Sequence, residues 1–166
     1  MRRTDAFVHD KLRITPLSVS ADKIAHVALR CAVLLARLDA AGHPVDRSGV
    51  GPVVEVYPAA SLRSWGLYRP GYKQAAKPDV LGCLVDDLRA RAQWLDCGPH
   101  EQVIRRSHDA FDAVIAAMTA RAAAQDQTFP PGRGDLAAAL AEGWIAIPNS
   151  PIGRFCEIRT NRLHAA

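Results

Sequence analysis

The sequence predicts an α/β layered fold, a mixed sheet flanked by helices. Three observations predict it. Segments at about 22–41, 78–97 and 108–125 carry apolar residues at helical spacing. Two short apolar runs bordered by proline, 51–58 and 144–148, read as strands. The two kinds of segment alternate along the chain.

The first helix runs from about Asp22 to about Ala41, with Ile24, Val27, Ala28, Cys31, Leu34, Leu35 and Leu38 on one face. Ser20 is its candidate N-cap, Asp22 suits the positive end of the dipole, and Gly42 suits the C′ position. The first strand, Gly51-Pro52-Val53-Val54-Glu55-Val56-Tyr57-Pro58, is apolar on both faces except at Glu55. Such runs sit in the buried middle of a sheet. A carboxylate there must be neutral, hydrogen-bonded, ion-paired or metal-bound. The second helix begins at Pro78 or Asp79, packs through Leu81, Leu84, Val85, Leu88, Ala92 and Leu95, and stops at Gly98-Pro99. The third spans about 108–125 behind Ser107 as N-cap. A short helix near 135–141 precedes the strand at Trp144-Ile145-Ala146-Ile147-Pro148.

The length, 166 residues, fits one ordinary domain, taken as 1–166, with a sizeable core. With 49% of residues apolar, the chain is globular rather than disordered. Net charge is +4, from 21 basic and 17 acidic side chains. That excess permits a nucleic-acid partner without demanding one. Cys31, Cys83, Cys97 and Cys156 form no CxxC pair, which argues against a structural zinc site. Residues 1–15 are charged and resemble no signal peptide, and no apolar run is long enough for a bilayer. The expectation is a cytoplasmic protein with reduced thiols and no membrane partner.

The third helix carries the candidate chemistry. Phe111, Val114, Ile115, Met118 and Ala122 cluster on one side of a wheel drawn at about 100° per residue. Asp109 and Asp112 share the other side with Ala113, Ala116 and Ala120. Two acids on a small-residue face need water, arginines or a divalent cation. Hard cations such as Mg²⁺ prefer carboxylate oxygens, and phosphodiester hydrolysis commonly uses two such ions about 4 Å apart. Glu55 with Asp109 and Asp112 would provide most of the acids required.

Several segments carry a family resemblance: Arg2-Arg3-Thr4-Asp5, Pro16-Leu17-Ser18-Val19-Ser20, Glu55-Val56-Tyr57-Pro58-Ala59-Ala60, Gly71-Tyr72-Lys73, Ser107-His108-Asp109-Ala110-Phe111-Asp112-Ala113 and Glu142-Gly143-Trp144-Ile145. In this order they resemble the predicted RNase H-like nucleases (domain of unknown function, number 429). The resemblance implies an RNase H-like fold, with Glu55 as the acid of the fourth strand and Asp109 or Asp112 as the acid of the last helix. It implies Mg²⁺ or Mn²⁺ on Glu55, Asp112 and Asp109, and a phosphate near Lys73. The region that carries the fold's leading aspartate would lie before Arg2. The resemblance therefore implies a partial domain without the N-terminal β-meander, with an exposed sheet edge that invites a homodimer.

Each residue also has a plainer reading. Glu55 can pair with an arginine at a sheet end. Asp109, in a first turn, favours the helix dipole by about 0.3–1 kcal/mol. His108 reads as solvent-exposed. Lys73 can be an ordinary loop lysine. Arg63, Arg69, Arg105 and Arg106 can line a basic groove or lie scattered, and Trp65, Tyr68 and Tyr72 can stack on bases or anchor loops. Asp5 and Glu142 suit caps or ion pairs. Three functions follow: a metal-dependent nuclease-type hydrolase of phosphodiesters, inactive in this form if the leading acid is absent; a non-catalytic binding or scaffolding module; and an enzyme acting on a small phosphorylated molecule.

Overall fold

The computed structural model describes residues 1–16, 24–74 and 76–153. Ser20, Asp22 and Cys156 lie outside the described residues. The chain divides into two compact units, Met1–Tyr57 with Phe129–Ile147, and Pro58–Thr128 with Pro148–Ala166. The fold is α/β and rich in helix, with a small parallel sheet. No helix among the described residues is long and apolar enough to cross a membrane.

The first unit holds α1 (Arg3–Leu12), α2 (Ala25–Ala40), the strand β1 (Glu55–Val56), and then, late in the chain, α7 (Leu136–Glu142) and the strand β2 (Ile145–Ala146). The strands pair in parallel, Glu55 opposite Ile145 and Val56 opposite Ala146. The charged segment at the N-terminus is a helix because Thr4, Asp5 and Val8 recur on one buried face and Asp5 sits in the first turn. Its apolar content is low, which is why periodicity alone misses it. Helix α2 ends as its sequence predicts. The His43 N–H donates to the Leu38 carbonyl (3.0 Å) and the Gly42 N–H to the Asp39 carbonyl (2.9 Å), with Gly42 at φ +84°. That pattern is a Schellman cap, which a glycine at C′ favours.

Two expectations change here. The predicted core face of α2 is not buried: Val27 is 67% and Leu34 58% exposed, and no residue of the helix is buried. The first strand is shorter than the run 51–58. Residues 48–52 bend around Asp46, whose Oδ1 accepts from the Ser48 N–H (2.8 Å), leaving Glu55–Val56 as the extended part. Paired with one two-residue neighbour, β1 is not a buried central strand, and the Glu55 side chain stays 29% exposed. A run of apolar residues reports hydrophobicity but not how many strands pair with it.

The second unit is helical: α3 (Pro58–Ser64), α4 (Pro78–Arg91), a 3-10 turn at Gly98–His100, α5 (Glu101–Arg106) and α6 (His108–Ala124). Leu81, Leu84, Val85, Leu88 and Ala92 bury the expected face of α4, and Leu95 is partly buried. They pack with Leu62, Trp65, Phe111, Ile115, Met118 and Ala122 in one apolar cluster. Ser107 caps α6 as predicted, its Oγ accepting from the Ala110 N–H at 3.2 Å. The small-residue side of α6 is not closely packed throughout, since Ala113 is exposed. Buried Thr119 hydrogen-bonds the Ile115 carbonyl (2.8 Å) and Ser61 Oγ (2.9 Å), which satisfies its hydroxyl inside the core.

Candidate functional site

In the first unit, three of the quoted segments meet around Glu55. Arg2 precedes α1 and grips Glu55 with two nitrogens, Nη2 to Oε1 at 2.7 Å and Nη1 to Oε2 at 2.9 Å. This fork geometry fits a carboxylate better than any other cationic side chain can. The same guanidinium reaches Asp5, Nη2 to Oδ1 at 2.9 Å. Asp5 also accepts from the Arg2 backbone N–H at 3.1 Å, closing the first turn as an N3 acid does. Glu55 first, and then Asp5, raise the Arg2 pKa further above its already high value, against the opposing effect of burial.

Glu142-Gly143-Trp144-Ile145 closes the cluster. The Glu142 carbonyl accepts from Arg47 Nη2 (2.8 Å), and Glu142 Oε2 accepts from the Arg3 N–H (3.1 Å). The Ile145 N–H donates to the buried Thr4 hydroxyl at 2.7 Å. Gly143 turns the chain at φ +87°, and a Cβ there would stand 2.6 Å from Arg47 Nη2 and 2.9 Å from Glu55 Oε2. Gly143→Ala is therefore expected to cost about 1–3 kcal/mol, from the left-handed backbone and the displaced charges together. Thermal melting checks this, and an unchanged midpoint would show that the cluster yields freely.

In the second unit, Gly71-Tyr72-Lys73 meets Asp112. Tyr72 donates its hydroxyl to Asp112 Oδ1 at 2.9 Å, and Lys73 Nζ donates to Oδ2 at 2.5 Å. The Tyr72 ring is buried and meets Phe111 edge-on at 6.1 Å, so the core orients its hydroxyl. Asp112 is 16% exposed and Lys73 is 48% exposed. Asp109 stands apart from Asp112: its side chain is 88% exposed in the first turn of α6. His108 Nδ1 lies 3.1 Å from Asp109 Oδ1 but is not aligned for a hydrogen bond.

Most of the remaining candidates have structural partners. Arg69 forks onto Asp87 Oδ2 (2.8 and 2.6 Å). Arg105 pairs with Asp86 and Glu101. Arg63 lies over the Tyr68 ring at 5.8 Å. Arg106 is exposed. Trp65 and Tyr72 belong to the core cluster, with Tyr68 packed against it.

These donors do not fit a divalent ion as they stand. Both oxygens of Glu55 lie on Arg2, and both oxygens of Asp112 lie on Tyr72 and Lys73. A hard cation at either acid would stand beside a guanidinium or an ammonium already held there, and like charges repel. Among the described residues no group of three or more His, Cys, Asp or Glu side chains is placed to hold a metal.

Sequence reasoning named Glu55 but not its partner. The Arg2–Glu55 pairing spans 53 residues and leaves no local trace. Arg47 and Gly143 were likewise unassigned.

No curated protein and no solved structure matches the chain. The family described as "Protein of unknown function (DUF429)" matches residues 1–135, and the chain belongs to that family.

Proposed function

We propose that this chain is a non-catalytic binding module whose motif acids anchor the fold. The observation that carries the reading is the engagement of both oxygens of Glu55 and of Asp112 by cationic or hydroxyl donors of the chain itself. To hold a metal, each acid would have to take a second cation beside the one it already has, the Arg2 guanidinium on Glu55 and the Lys73 ammonium on Asp112. Here each acid instead ties sequence-distant segments together: Arg2 to Glu55 in the first unit, and Tyr72 and Lys73 to Asp112 in the second. An RNase H-like fold that kept its framework without the chemistry is part of the proposal and rests on the motif resemblance. So are a cytoplasmic location and a macromolecular partner, either a nucleic acid or a second copy paired at a sheet edge.

The second reading is a Mg²⁺- or Mn²⁺-dependent nuclease-type hydrolase, using Glu55, Asp112 and Asp109 with Lys73 toward a phosphate. The half-exposed Lys73 ammonium beside Asp112 favours it, since a lysine so placed can meet an anionic ester. Cleavage of mixed DNA and RNA by the purified chain, with Mn²⁺ or EDTA, separates the readings. The binding-module reading predicts no metal-dependent cleavage. Cleavage with Mn²⁺ that disappears in Glu55→Gln and Asp112→Asn would replace it with the nuclease.

A further inference from the structure

The first unit holds a cavity of about 310 Å³ beside Glu55. Its walls are mostly apolar, with Ala28, Ala32 and Leu35 of α2 facing Val53 and Val54. The charged groups in its lining are Arg2, Arg47 and Glu55. Small-molecule sites begin at about 300 Å³ and combine apolar walls with a few placed polar groups.

The pairing of the charged groups in that lining selects the ligand. Glu55 is committed to Arg2, through both of its oxygens. Arg47 donates to the Glu142 carbonyl, and among the described residues no carboxylate pairs with it. A guanidinium has five N–H donors in a fixed fork, so most of its donor capacity is open to a ligand. Arg2 is shared between Glu55 and Asp5, so among the described residues Arg47 is the one cation of the lining with no carboxylate paired to it, and it stands beside an apolar chamber. A polynucleotide would ask for a row of cations along its backbone.

We propose that this cavity binds a small organic carboxylate with an acyl tail, the head on Arg47 and the tail along Ala28, Ala32 and Val53. The inference rests on the binding-module reading and adds a small-molecule ligand to the macromolecular partner proposed there. Head and tail contribute in different ways, one through charge-assisted hydrogen bonds and the other through buried apolar area.

Calorimetric titration of octanoate into the full chain tests it, beside Arg47→Gln, Ala32→Phe and a control titration with octan-1-ol. The expected result is saturable binding of octanoate to the wild type, at least about tenfold weaker in Arg47→Gln, or about 1.4 kcal/mol. Octan-1-ol is expected to bind more weakly than octanoate. Ala32→Phe is expected to abolish binding by filling the chamber. Ala32 is exposed on α2, so this variant keeps the test valid even where loss of the Arg47 bond to Glu142 loosens the unit. Three results would overturn the proposal. One is no binding by the wild type at ~10 mM octanoate, far above the range of a specific site. Another is equal affinity in all three proteins. The last is a wild type that sediments as a dimer and refuses octanoate, which assigns the cavity to a second copy. Metal-dependent cleavage would defeat the binding-module reading whatever octanoate does. Failure of octanoate without cleavage defeats this inference alone.

Discussion

Trp144→Ala is expected to destabilise the chain by about 3–5 kcal/mol, the range for truncating a large buried aromatic. At this chain length that loss corresponds to roughly 6–20 °C in melting temperature. Trp144 is 1% exposed and stacks on Phe7 with ring centres 5.0 Å apart. Its indole N–H donates to the Phe129 carbonyl at 3.0 Å, and its backbone N–H donates to the Arg47 carbonyl at 2.8 Å. Alanine keeps the backbone bond but empties the space between α1 and β2 and strands the Phe129 carbonyl. Trp144→Phe refills most of the volume and leaves only the carbonyl unpaired, a cost of about 1–3 kcal/mol. Urea or thermal unfolding of the two variants gives the comparison. A loss below about 1 kcal/mol in the alanine variant would contradict the packing described for the first unit.

Arg2→Ala is the second large effect, expected at about 2–3 kcal/mol. Breaking a fully buried ion pair from one side costs about 3–5 kcal/mol, because the partner charge is left unpaired. Arg2 and Glu55 are each 29% exposed and Asp5 is 11% exposed, so water screens part of that penalty. Two acids lose their cation at once, which keeps the effect above that of a surface pair. Arg2→Lys is expected to recover only part of the loss, because an ammonium cannot fork across Glu55 and Asp5. Arg3 supplies the control. It is 64% exposed and pairs with Asp135, so Arg3→Ala falls in the range of surface pairs, about 0–1 kcal/mol. Equal melting temperatures for Arg2→Ala and Arg3→Ala would remove the Arg2 cluster from its central place.

Local signals were legible in the sequence. Ser107 before a helical run, Gly42 after one, and the spacing of Leu81, Leu84, Val85 and Leu88 each specify their own neighbourhood, and the structure follows them. Helices α1, α3 and α5 were not legible, because each is short or poor in apolar residues and is stabilised mainly by what it packs against. The exposed face of α2 shows the same limit from the other side. Periodicity shows that a helix is amphipathic but does not supply the surface that covers it.

The candidate site divides in the same way. Glu55 and Asp112 stood out because a carboxylate among apolar residues must be compensated, and the structure does compensate both. The identity of the compensating groups was not readable. Arg2 and Lys73 lie 53 and 39 residues away from their acids in sequence. Asp109 and Asp112 are neighbours on a helical wheel, yet one faces solvent and the other lies under Tyr72 and Lys73. Three residues along a helix turn the direction by about 60°, enough to cross from the exposed edge to the half-buried one.

The most direct measurement is the melting temperature of the wild type and of Glu55→Gln, each with EDTA and with excess Mn²⁺. A fold anchor predicts that Mn²⁺ leaves the wild-type midpoint unchanged, while Glu55→Gln melts lower in both conditions. A metal ligand predicts the opposite: Mn²⁺ raises the wild-type midpoint, and Glu55→Gln abolishes that rise with little loss in EDTA. The second pattern would contradict the assignment of Glu55 to the Arg2 ion-pair cluster and return it to a metal centre.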